Sequence, residues 1–132
     1  MAEGIFRKIA ENDTALHNVS VASAGLMADN GACASANAVA VCRERDIDIS
    51  RHTATILTAE RIDNTDLFVC MTYSHAFALM EQYHVPKNKI YVLDVSDPYG
   101  GDIAVYRQCC ADIDKKLVVL ADLIKKHYGN EL

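Results

Sequence analysis

The side chains best suited to covalent chemistry in this sequence are its five cysteines, Cys33, Cys42, Cys70, Cys109 and Cys110. A thiol attacks as its thiolate, so a nucleophilic cysteine needs a setting that lowers its pKa. The odd count and irregular spacing suit neither a disulfide framework nor a metal site, and several of the five fall on apolar faces where cysteine packs as a small hydrophobe. Free thiols and no bound metal are expected. A second cluster is Asp97-Pro98-Tyr99-Gly100-Gly101. By local chemistry, an aspartate before proline is a good helix N-cap with proline at the first helical position. Tyr99 reads locally as a packing residue with a wet hydroxyl. Ser23 reads as a turn residue at a strand end, and His52 as a polar residue of a link.

Several elements must position these residues. Ile5, Phe6, Ile9, Ala10 and Leu16 recur at helical spacing over residues 2–16, and Val19 to Ser23 reads as a short strand ending at Gly25. The alanine-rich run from Cys33 to Arg45 favours helix, and Ile47 and Ile49 alternate with aspartates as an extended link. Thr58 can cap a further short helix. Asp66 to Met71 is a nearly continuous apolar run of strand length, which suits a strand covered on both faces. Helical spacing returns at Ala76, Phe77, Met80 and Tyr83, and Ile90 to Leu93 is the last strand. Ile103, Tyr106, Cys110, Ile113, Leu117, Leu120 and Ile124 then mark the longest helix. Strands alternating with helices predict an α/β fold with a parallel sheet between helical layers, its site beyond the carboxyl ends of the strands.

At 132 residues, about half of them apolar, the chain suits a single domain over 1–132. The net charge of −5 and scattered basic residues argue against a general nucleic-acid binder. The sequence carries no membrane-helix run or signal-peptide pattern, so a cytoplasmic protein without membrane attachment is expected. The first helix opens at Met1 with no Ser, Thr, Asp or Asn to cap it, where α/β folds commonly place a strand and an anion-binding loop. Such a preceding strand and loop are expected to be missing from these residues.

The segments Met1-Ala2-Glu3-Gly4-Ile5-Phe6, Ser23-Ala24-Gly25, Asp46 to His52, Asp66 to Met71 and Asp97 to Gly101, in this order, resemble the low-molecular-weight protein tyrosine phosphatases. The similarity spans essentially the whole chain. It implies a three-layer α/β/α fold whose first, inner strand is absent, no cofactor, and a phosphorylated protein as substrate. It also implies that Asp97 is the general acid, that Tyr99 lines the substrate pocket, and that Ser23 and His52 support the phosphate loop. The family's nucleophile is a cysteine with an arginine six positions later. Six positions after the five cysteines stand Val39, Asp48, Ala76, Lys115 and Lys116, so the sequence contains no Cys-x5-Arg.

The expectation is a family member inactive as written, with an upstream segment supplying the loop; the alternative is a non-catalytic pseudophosphatase that binds a protein partner. The single aromatic of the Asp97 segment, with Met71-Thr72-Tyr73-Ser74-His75, looks closer to bacterial members, some of which act on phosphoarginine; phosphotyrosine stays open. An arsenate reductase relative would need a nucleophilic cysteine and a resolving relay, and neither is visible. Without the inner strand, self-association through an exposed sheet is expected.

Overall fold

A computed structural model describes residues 1–128. Its centre is a parallel pair of strands, β1 (Phe68–Cys70) and β2 (Ile90–Val92), in the register Phe68 with Ile90, Val69 with Tyr91 and Cys70 with Val92. The hydrogen bonding runs on past β2, where the amides of Leu93 and Val95 donate to the carbonyls of Cys70 and Met71, each at 2.8 Å.

Side chains on a strand alternate between faces, and that alternation divides the apolar residues into two clusters. Leu67, Val69, Met71, Tyr91, Leu93 and Val95 join a large core with helices α1 (Ala2–Glu11), α2 (Ala36–Arg43) and α5 (Ile103–Tyr128). Phe68, Cys70, Ile90 and Val92 join a smaller one with α3 (Ala59–Asp63) and α4 (Tyr73–Tyr83). The result is the expected three-layer α/β/α arrangement.

Local chemistry sets the helix limits. Ser35, Thr58 and Thr72 each accept an amide hydrogen bond at the starts of α2, α3 and α4. The end of α4 is closed by His84 in the left-handed region (φ 56°), with the Val85 amide reaching back to Leu79. Apolar residues three and four apart give α5 one buried stripe, from Tyr106 through Ile113 and Leu117 to Ala121. The predicted helix over 2–16 is divided: α1 stops at Glu11, and Asp13 caps a separate 3-10 turn, Thr14–Leu16, by accepting the Ala15 amide.

Two expectations are corrected. Val19 to Ser23 forms no strand ladder, although its side chains alternate between half-buried and exposed. Its carbonyls at Val21 and Ser23 are met by side chains instead, Arg7 on the first and Thr55 and Arg61 on the second. An extended segment becomes a strand only when another strand takes its backbone groups. The other correction concerns Asp97, which caps no helix. Asp102 caps α5, accepting the Val105 amide at 3.1 Å. Between the two aspartates lies a tight turn, with Gly101 donating to the Pro98 carbonyl and Gly100 at φ 83°. That positive φ prevents a helix from starting at Pro98.

Candidate active site

Asp97 stands exposed two residues beyond the last ladder bond of the β2 extension, at the carboxyl end of the sheet. Its Oδ1 accepts the Tyr99 amide at 3.0 Å, which fixes the carboxylate within the turn. Tyr99 is 87% exposed, so the turn presents its ring to solvent rather than to the core.

Ser23 and His52 meet at a residue that sequence reasoning had not singled out. Ser23 Oγ donates to Glu3 Oε1 at 3.0 Å, and His52 Nδ1 lies 3.5 Å from Glu3 Oε2. Arg7, one helical turn on, donates to the same Oε2 at 3.2 Å and to the Val21 carbonyl at 2.9 Å. Glu3 therefore ties the start of α1 to the segment at Ser23 and the link at His52. One signal for it was present in the sequence: an acidic side chain in the first helical turn complements the positive end of the helix dipole. What the sequence could not show is that residues 20 and 49 positions further on converge there.

Gly4 explains how the link comes so close. A Cβ at this position would stand 2.8 Å from Ile49 Cγ2 and 3.0 Å from Ile47 Cγ2. Both isoleucines are buried under α1. The outer side of this contact is a groove of about 510 Å³ bordered by Glu3, Arg7, Glu11, Asp48, Arg51 and His52.

Helix α5 adjoins both α1, which packs along it, and the stem of the Asp97 turn, whose Ser96 carbonyl accepts from the Cys109 thiol at 3.6 Å. Asp97 and the amino group of Met1 both act on that thiol. Burial pushes this thiol's pKa up, helped by Asp112, Cys110 and Asp97, while the amino group of Met1 pulls it down. Met1 gives α1 no side-chain cap, and the first amides of a helix have no partner within it. The elements adjoining α5 thus include a fixed carboxylate, an exposed aromatic ring and a helix start suited to an anion.

Cys42, Cys70, Cys109 and Cys110 are buried. Burial pushes Cys42 up to about 11, with Cys110 beside it adding to the rise, and burial also raises Cys70. These shifts are opposite to what attack requires. Cys33 is exposed on the loop before α2, paired in an isolated bridge with Thr53. Among the described residues no group of three or more His, Cys, Asp or Glu side chains could hold a metal ion. No helix there is long and apolar enough to cross a membrane.

Comparison with known proteins adds the following. The family model described as low molecular weight phosphotyrosine protein phosphatase matches residues 1–130. A protein-arginine-phosphatase of Bacillus subtilis is 33% identical over 135 residues, covering 96% of this chain and 88% of the relative. The structure of an arginine phosphatase from Geobacillus stearothermophilus superposes with a TM-score of 0.87 at 27% identity, over 99% of this chain and 87% of the other. That of a low molecular weight protein tyrosine phosphatase from T. tengcongensis gives 0.84 at 34% identity, over 92% and 87%.

Proposed function

Because this chain belongs to the low molecular weight phosphotyrosine protein phosphatase family, we propose that it carries the acid-bearing and substrate-facing part of a cytoplasmic phosphoprotein phosphatase. The observation that carries this reading is the Asp97 carboxylate, held in its turn at the carboxyl end of the sheet by the Tyr99 amide. Asp97 is the general acid. It protonates the leaving oxygen of a phosphotyrosine or the leaving nitrogen of a phosphoarginine, and later takes a proton from the attacking water. Tyr99 packs against the substrate side chain, and Ser23 and His52, through Glu3, hold the start of α1 where the phosphate is received. Relatives named as arginine phosphatases favour phosphoarginine as substrate. Free thiols suit a reducing compartment.

These 132 residues lack the nucleophile and the arginine that clamps the phosphoryl oxygens. The purified chain should therefore turn over neither an aryl phosphate nor phosphoarginine. Joining a strand and a Cys-x5-Arg loop to Met1 should restore hydrolysis, and in that extended protein Asp97→Asn should lower turnover ~10²–10⁴-fold. Thiol-dependent hydrolysis by the chain itself would overturn the first expectation. Full activity with Asn at position 97 on a poor leaving group would overturn the second.

The raised thiols also favour a second reading, a non-catalytic module that binds phosphoprotein. It expects saturable phosphopeptide binding by the chain without turnover.

A further inference from the structure

The stem of the Asp97 turn is held on two sides. The amides of Leu93 and Val95 point to β1 and are bonded there. Helix α5, which packs over this stretch, takes two of its carbonyls. Lys116 Nζ donates to the Asp94 carbonyl at 2.8 Å, and the Cys109 thiol to the Ser96 carbonyl at 3.6 Å. Positions seven apart return to the same face of a helix about 10.5 Å along, and the long lysine side chain reaches back over the difference from the roughly 7 Å between carbonyls two residues apart. Asp94, between the two bonded amides, has a left-handed backbone (φ 60°). That conformation is uncommon for a residue with a side chain, and it persists where neighbours hold it.

We propose that Cys109 and Lys116 are positioning residues for Asp97, clamping from α5 the carbonyls of Ser96 and Asp94 so that the carboxylate is presented from a rigid stem. The inference rests on the reading of Asp97 as the acid. Neither clamp residue touches substrate. Cys109 thereby gains a role for a buried thiol that the chemistry itself leaves unused.

The test uses the chain as it is and reads order in the turn rather than hydrolysis, so a failure of the clamp and a failure of Asp97 as acid remain separate results. Amide hydrogen exchange followed by NMR reports on Tyr99 and Gly101, whose N–H groups are bonded within the turn. Losing one hydrogen bond of ordinary net strength should speed their exchange about fivefold. This is expected for Lys116→Met and for Cys109→Ala, with amides of α2 and α4 unchanged. Cys109→Ser and Lys116→Arg, which keep a donor, should recover at least part of the protection. Lys116→Met alters a partly exposed position and serves as the reading if Cys109→Ala fails to fold. Unchanged exchange at Tyr99 and Gly101 in Lys116→Met would overturn the proposal. So would equal acceleration throughout the chain, or no recovery with the donor-keeping variants.

Discussion

Asp13 and Lys125 form a tie whose value depends on pH. Lys125 Nζ donates to Asp13 Oδ2 at 2.7 Å, joining the segment after α1 to the last turns of α5. The hydrogen bond from Lys125 is the main reason that Asp13 titrates below its ordinary 3.8, and that from Asp13 the main reason that Lys125 titrates above 10.5. A carboxyl whose folded pKa is depressed adds stability above its unfolded pKa and loses it as pH falls through the folded value. An amine with a raised pKa adds stability below its unfolded pKa and loses it as pH rises through the folded value. The tie should therefore count in full between about pH 4 and 10.5. Asp13→Asn, which can still accept the Ala15 amide, should melt earlier than the wild type at pH 7, with the difference fading as pH falls below about 4. A difference that stays constant down to pH 2 would show that the ion pair contributes nothing. At Asp97 the local change should be mild: Asn can keep the turn's hydrogen bond to Tyr99, so Asp97→Asn should shift stability by about 1 kcal/mol or less. A larger drop in the urea midpoint would mean that the charge itself holds the turn.

Among the elements, α1 depends on a missing side chain. Alanine would favour the helix at position 4 by up to ~1 kcal/mol, yet its Cβ would meet the branched methyls of Ile49 and Ile47. Overpacking of that kind costs ~1–3 kcal/mol, so Gly4→Ala should destabilise the chain on balance and loosen the groove beside it. Denaturant unfolding decides the sign, and a stabilised Gly4→Ala would show that the link can shift away freely. The same contrast explains how much could be read from the sequence. The helices with a clear apolar period and a side-chain cap, such as α5 and the helix after Thr58, were legible because their signals are local. The two strands were legible as short apolar runs. Val19 to Ser23 has the right side chains, but a strand is made by its neighbour, and no neighbour's backbone is written in its own residues. The local reading of Asp97 as a helix cap failed because Gly100 imposes a turn that the aspartate–proline pair does not encode. Glu3 went unnoticed because its importance comes from two distant partners.

At the scale of the whole molecule, two strands form the ladder where helices cover both faces. In this two-stranded ladder the far edge of β1 offers backbone groups that another strand could take. We propose that the chain associates with itself through this sheet. Sedimentation should then show species heavier than the monomer, becoming more abundant with concentration. A strictly monomeric chain with weak binding of a hydrophobic dye would instead mean that the fold closes over its own edge. The placement of the cysteines also makes the protein its own gauge of folding. With Cys33 alone at the surface and the other four enclosed, a thiol-specific chromophore should colour one site per native chain at once. The remaining four should react only as fast as the chain opens, so the slow phase of that colour change times the breathing of the core without an assay of activity.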